Sequence, residues 1–186
     1  MGGKRHEFVG ALYELGRDLE HPETAPTARG ELAKLRRGLN DDLRSLDVVF
    51  RHDPDQSEVD TWQLVGGLFA LHPRVPADGR GVGLGAALGL LESEKSTKPR
   101  LQQLVSVHPS RVGYYARQAV QLVRSLRSDV ALNYHWLLDD LVRVRTRPAR
   151  HQEAYEVRLK WAREYFRAAH GARTTTSDDT VEGDTE

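Results

Sequence analysis

In this 186-residue chain, arginines are the residues whose type and spacing best suit a chemical role, and that role is the binding of anions. Arg36 and Arg37 follow a leucine-rich stretch, and Arg117 and Arg124 lie on one later amphipathic stretch. The segment 141–150 adds Arg143, Arg145, Arg147 and Arg150. Each guanidinium offers a planar fork of donors and is weakly hydrated, which suits phosphate. The pattern therefore favours a protein that holds a phosphate backbone over one that makes or breaks bonds.

The net charge of zero hides an uneven distribution along the chain. Residues 1–94 hold 11 Lys and Arg against 16 Asp and Glu, whereas residues 95–170 hold 15 against 6. Residues 171–186 hold 1 against 5. In the basic segment the lysines are only Lys95, Lys98 and Lys160. Because salt screens fields beyond about 8 Å, a polynucleotide on the second half would meet a positive surface.

The elements that position these arginines are all predicted to be helices. Apolar residues recur every three or four positions in eight segments, and no segment alternates as a strand does. The segments are 8–19, 32–46, 62–72, 84–91, 101–105, 112–126, 136–144 and 155–166. Residues 21–30, 51–60 and 72–83 are predicted loops, with Ser57 or Asp60 as a helix cap. We expect an all-α, compact bundle of about eight helices.

Two packed subdomains and a tail are expected within that bundle. The predicted division is an N-terminal helical subdomain at 1–92, a C-terminal one at 93–170, and a disordered acidic tail at 171–186. The tail holds too few apolar residues to offset the entropy of ordering. The start of the chain lacks a signal-peptide core, and no apolar run reaches about 20 residues, so we expect a cytoplasmic protein without a membrane span.

Two simpler roles for the arginines compete with anion binding. An arginine can solvate a helix face, and cations at a helix C-terminus interact favourably with its dipole. Four arginines within 141–150 exceed what one helix end needs. On the helix at 112–126, Arg117 and Arg124 are about 20° apart and flank the apolar stripe, which would hold both guanidinium groups along one edge.

Aromatic residues are few, so we expect binding to be mainly electrostatic and independent of base sequence. Trp62, Trp136 and Trp161 fall on apolar stripes and are predicted to be core residues. Tyr114 faces away from the stripe of its helix and is the better candidate for stacking on a base.

Patterns that could indicate catalysis or a cofactor are weak. Gly81, Gly83 and Gly85 follow a Pro-rich segment and not a strand, so they favour close helix packing over a phosphate loop. Scattered histidines give no metal-binding spacing, and the absence of cysteine excludes thiolate ligands. We predict no cofactor, no metal and no enzymatic activity, although a spatial triad leaves no local signature.

Six motifs in order resemble the CasB family, the small subunit of the type I-E CRISPR surveillance complex called Cascade. They span most of the chain and read LAKLRRG (32–38), GVGLGAALGLL (81–91), KPRLQQLV (98–105), RQAVQLVRSLRS (117–128), NYHWLLDDLVRV (133–144) and VRLKWAREYF (157–166). The resemblance implies an all-α, non-catalytic subunit present in two copies, packed against other Cascade subunits and a crRNA-containing ribonucleoprotein. It also implies a basic groove that binds single-stranded DNA, chiefly the displaced non-target strand, and so stabilises the R-loop.

The residues that this resemblance and the arginine pattern assign to the nucleic-acid groove are Arg36, Arg37, Arg100, Arg117, Arg124, Arg143 and Arg145. We expect their guanidinium groups to converge on one surface after folding. Two alternatives remain open. The chain could be a structural protein whose arginines dock acidic protein partners, or a helix-turn-helix regulator, for which no short helix pair with a glycine turn is found.

Overall fold

Nine α-helices make up most of the part of the chain that the computed structural model describes, residues 2–40, 42–91, 97–145 and 151–178. They are Gly2–Asp18 (α1), Ala25–Arg37 (α2), Leu46–Phe50 (α3), Val59–Leu71 (α4), Leu84–Gly89 (α5), Thr97–Ser106 (α6), Val112–Leu126 (α7), Tyr134–Arg145 (α8) and His151–Asp178 (α9). Those residues form no β-strand, only an isolated bridge between Val82 and Leu132. The all-α prediction is confirmed.

Helix α4 is the centre of the fold. Its residues from Gly66 to Leu71 are all buried, and so are Trp62 and Val65, so the helix is apolar on nearly every side. Helices α2, α3, α7 and α8 pack around it. The buried tryptophan is satisfied by a hydrogen bond from Nε1 to the Glu58 carboxylate at 3.1 Å. No described helix is long and apolar enough to cross a bilayer.

Helices α5 and α9 pack at unusually short range through two glycines. A Cβ placed on Gly85 would lie 2.8 Å from the carbonyl carbon and the Cα of Trp161. A Cβ on Gly89 would lie 3.0 Å from the carbonyl carbon of Tyr165, one turn further along. The prediction that glycines in this segment allow close helix packing is confirmed at Gly85, and Gly89 packs in the same way. Just before α5, Val82 forms an isolated bridge with Leu132.

The segment predicted as one helix over 32–46 is broken. Helix α2 ends at Arg37, and two 3₁₀ turns, Gly38–Asn40 and Leu43–Ser45, follow before α3. The break has a local cause, because the Asp42 side chain accepts a hydrogen bond from the backbone N–H of Arg44 at 2.9 Å and starts a new turn. Leu43 fits the helical period but is 74% exposed as a result.

Other differences concern helix ends. Helix α2 begins at Ala25 because Pro26 fits its first turn, so the predicted loop 21–30 is shorter. Neither Ser57 nor Asp60 caps α4, whose N-cap is Glu58 without a side-chain cap bond. Helix α9 continues to Asp178, so residues 171–178 of the predicted disordered tail are helical, and 179–186 lie outside the described residues.

The described halves of the chain share their buried residues. One cluster of buried apolar side chains includes members of every helix from α1 to α9. Helix α5, which precedes the predicted boundary between 92 and 93, packs chiefly on α9, which follows it. The boundary itself falls within 92–96, outside the described residues, and the division into two subdomains stays a prediction.

Candidate nucleic-acid interface

The end of α2 places the first arginine pair beside α4. Arg36 donates to the carbonyl oxygen of Ala70, from Nη2 at 2.7 Å and from Nε at 3.3 Å. This carbonyl belongs to the last turn of α4, where backbone acceptors lack helical partners. Arg37, the next residue, is exposed and makes no hydrogen bond or ion pair with the described residues. The chain can turn here because Gly38 leaves room for Ser45 and Gln63.

Arg117 and Arg145 are half-buried and bind neutral acceptors. From α7, Arg117 Nη1 donates to the carbonyl of Leu39 and to Oδ1 of Asn40, both at 3.2 Å. From the end of α8, Arg145 Nη1 donates to the carbonyl oxygen of Asp60 and to Oγ1 of Thr61, both at 3.2 Å. Burial lowers the pKa of Arg145, an effect that the nearby charge of Asp60 opposes.

Hydrogen bonds to α4 and to the turn after α2 place these arginines in a series along α4. Arg145 is bound at Asp60, near the start of α4, and Arg36 at Ala70, near its end. At 1.5 Å per residue these two points are about 15 Å apart. Arg117 is bound to the 39–40 segment, and Leu39 of that segment lies against Gly67.

Arg124 extends the same series on α7. It lies two turns, or roughly 10 Å, beyond Arg117. Burial is the main cause that lowers the pKa of His72, and the charge of Arg124 contributes, so Arg124 lies within electrostatic range of the residue that ends α4. We call Arg36, Arg117, Arg124 and Arg145 the arginine row.

A cleft opens at the Arg145 end of the row. It has a volume of about 440 Å³ and is lined by Tyr114, Arg117 and Arg145 together with Gln63, Asp60 and Ser110. Tyr114 is 61% exposed, as expected of a residue that faces away from the apolar stripe. We call this space the Tyr114 cleft.

The members of the arginine row form no ion pair with a carboxylate of the described residues. Within the described part of the chain, none of the seven predicted site arginines has a carboxylate within ion-pair distance. Other cations do, for example Arg51 with Glu31 and Asp47. The cations that form such pairs are Lys4, Arg5, Lys34, Arg44, Arg51, Arg127 and Lys160.

Not every predicted arginine joins the row. Arg143 is exposed on α8, and its charge acts on Asp140, which bonds Lys160 and Trp161 of α9. It therefore lies on the side of α8 that faces away from the cleft. Arg100 is half-buried on α6, and among the described residues it makes no hydrogen bond to a member of the row. Arg147 and Arg150 lie outside the described residues.

Sequence reasoning missed Gln63 and misplaced one tryptophan. Gln63 lies in the otherwise apolar run of α4, and a lone amide in such a run is a signal that could have marked it. Its Nε2 donates to the Asp42 carbonyl at 3.2 Å and to Ser45 Oγ at 2.7 Å.

Trp136, predicted to be core, is 47% exposed, with the Lys160 ammonium 5.6 Å from its ring centroid. Trp62 and Trp161 are buried as predicted.

The described residues hold no group of three or more His, Asp or Glu side chains arranged to bind a metal ion.

Comparison with known families gives one decisive match, because the profile of CRISPR-associated protein Cse2 matches residues 31–166. The chain belongs to the Cse2 family. This confirms the resemblance to CasB drawn from the six motifs.

Solved structures agree with this assignment. The CasB crystal structure from Thermus thermophilus has 27% identity and a TM-score of 0.59, and the match covers 84% of this chain and 96% of that one. The CasB crystal structure from M. ruber has 25% identity and a TM-score of 0.58, with 97% and 99% covered. A chain of a CRISPR RNA-guided surveillance complex has 20% identity and a TM-score of 0.67, with 94% and 97% covered, which shows a shared fold. No curated protein sequence gives a significant match.

Proposed function

We propose that this chain is a non-catalytic subunit of a type I-E CRISPR surveillance complex in the cytoplasm, and that its arginines hold nucleic acid. Its partners are the other Cascade subunits, the crRNA-containing ribonucleoprotein and a second copy of itself. Its ligand is single-stranded DNA, chiefly the displaced non-target strand of the R-loop. The observation that carries this proposal is the arginine row, four guanidinium groups along one side of α4 and α7 without carboxylate partners.

The physical argument for phosphate binding rests on arginines whose hydrogen bonds go to neutral acceptors and not to carboxylates. A guanidinium that already pairs with a carboxylate gains little from a phosphate, whereas one that binds only carbonyl and amide oxygens keeps its full charge. Arg36, Arg117 and Arg145 each use their hydrogen bonds on neutral acceptors. These bonds fix the direction of each guanidinium and leave further donors for an anion.

A modest contribution is enough for this role. R-loop formation exchanges a DNA duplex for an RNA–DNA duplex of similar stability, so contacts to the displaced strand can decide whether the open state persists. Four phosphate contacts on a single strand correspond to a salt dependence of about −3 in log K against log salt, at roughly −0.7 per contact. The support is therefore electrostatic and independent of sequence.

The test compares two variants of equal net charge in the assembled complex. The first carries Arg36→Gln, Arg117→Gln and Arg124→Gln, at three positions of the arginine row. The control carries Arg44→Gln, Arg51→Gln and Arg127→Gln, at arginines that pair with carboxylates. We expect weaker target-duplex opening for the first variant only.

Two results would overturn this proposal. Equal duplex opening by both variants at physiological salt would show that the predicted arginines do not hold DNA. Loss of assembly with the backbone subunits, with duplex opening unchanged per assembled complex, would instead identify the arginines as a docking surface for acidic proteins. Circular dichroism of both variants checks that helical content is unchanged.

A further inference from the structure

We propose that the Tyr114 cleft is a binding site for one nucleotide of single-stranded DNA, in which a base turned out of the strand stacks on Tyr114 while Arg117 and Arg145 hold its phosphate. The inference rests on the proposed function and adds a defined base site to an otherwise sequence-independent electrostatic surface. It is carried by the position of an exposed aromatic ring beside two half-buried guanidinium groups in one concavity.

The Tyr114 ring is exposed to solvent and packed on one side by a neighbouring ring. Tyr114 is exposed, but Tyr115 packs edge-on against it, with the ring centroids 5.2 Å apart and the planes at 87°. Tyr115 in turn packs against the buried core. An exposed ring offers a stacking surface, and stacking accepts any base because every base has a π face.

Two arginines line the same cleft as Tyr114. Arg117 follows Tyr114 by three residues, so both side chains lie on the same side of α7. Arg145 approaches the same helix from α8, with Nε about 4 Å from the Cβ position of Gly113. The hydrogen bonds of both arginines go to neutral acceptors, so a phosphate oxygen would add a charge-assisted bond to each of them.

The side-chain oxygen of Gln63, which lines the cleft, suits the polar edge of a base. Both hydrogens of the Gln63 amide nitrogen are used, by the Asp42 carbonyl and by Ser45 Oγ, so the orientation of this side chain is fixed. Its Oε1 accepts no hydrogen bond from the described residues. The cleft volume of about 440 Å³ falls in the range of small-ligand sites, roughly 300–1,000 Å³, and suits one nucleotide.

The experiment measures binding of the full chain to two probes with the same number of phosphates. One is an oligothymidylate of about ten residues, and the other is an abasic strand of equal length. Fluorescence anisotropy gives both affinities at low salt. We expect oligothymidylate to bind about 5- to 150-fold more tightly, which is the range for stacking of one base on an aromatic ring.

Single substitutions separate the platform from the anion site. Tyr114→Ala should abolish the preference for the base-bearing probe, and Tyr114→Phe should retain it. Tyr155→Ala is the matched control, because Tyr155 is 59% exposed on α9 and does not line the cleft. Arg117→Gln should weaken binding of both probes by a similar factor, because each probe carries the phosphate.

The outcomes distinguish this site from the broader proposal. Equal affinity for both probes, falling with salt, would overturn the nucleotide site and leave the electrostatic role standing. A base preference that persists in Tyr114→Ala would also overturn it. No binding of either probe at low salt would overturn both the site and the proposed function.

Discussion

Replacing Gly85 by alanine tests the account of the fold at its closest helix contact. The added Cβ would lie 2.8 Å from the carbonyl carbon and the Cα of Trp161, and closer still to its carbonyl oxygen. Ordinary contacts of a Cβ lie at 3.4–4 Å, so α5 and α9 must separate by more than half an ångström. Because the obstacle is backbone, no side-chain rotation relieves the clash.

The expected free energy change follows from two opposing terms. Overpacking of this kind costs about 1–3 kcal/mol, and a backbone obstacle favours the upper end. Alanine regains about 1 kcal/mol of helix propensity relative to glycine. We therefore expect Gly85→Ala to lower the free energy of unfolding by about 2 kcal/mol.

Gly30→Ala is the matched control, because Gly30 is exposed in the interior of α2 and nothing lies within 4 Å of its Cβ position. The same substitution there should raise the free energy of unfolding by up to about 1 kcal/mol. For a chain of this size a gap of about 3 kcal/mol corresponds to roughly 6–12 °C in Tm. Urea and thermal unfolding followed by circular dichroism measure both variants. A Gly85→Ala protein as stable as the parent would refute the close approach of α5 and α9.

Two further predictions concern polar groups in the interior or at its edge. Trp161→Phe removes the Nε1 bond to Asp140 Oδ2 at 2.8 Å and should cost about 1–3 kcal/mol, whereas Trp136→Phe at an exposed ring should stay within about 0.5 kcal/mol. Equal costs in urea unfolding would contradict the burial assigned to the two rings. Burial, and secondarily the charge of His6 at 4.5 Å between ring centroids, lowers the pKa of His135. The folded state therefore binds this proton less readily than the unfolded state, and stability is lost as pH falls below 6.5. His135→Phe should gain stability relative to the parent as pH falls, by at most about 1.4 kcal/mol per pH unit, and a difference that is constant with pH would contradict this.

The class of fold could be predicted from the sequence because helical periodicity is a local signal. The run on α7 shows this, since Val112, Ala116 and Val123 are buried as the spacing predicts. Local signals fail where a side chain competes with the helix. Asp42 starts a new turn by bonding the Arg44 backbone, and this interrupts a leucine period that otherwise continues through Leu43.

The candidate site could be predicted only as a list of residue types. Arg117 and Arg145 are 28 positions apart in the chain, and their meeting depends on how α7 and α8 pack against α4. The helical spacing also predicted Trp136 to be a core residue. Instead α8 turns Leu137 and Leu138 to the core, and the Trp136 ring lies at the surface near Lys160. Whether an arginine pairs with a carboxylate is likewise a tertiary property, as Arg5 with Glu58 and Asp139 shows.

The most direct test of the arginine row is the salt dependence of single-strand binding by two double variants. Arg117→Gln with Arg124→Gln removes two cations from the row, and Arg51→Gln with Arg127→Gln removes two that pair with carboxylates. We predict that the slope of log K against log salt falls in magnitude by about 1.4 for the first variant and is unchanged for the second. Equal slopes for both variants and the parent would contradict the claim that these uncompensated guanidinium groups hold the phosphates.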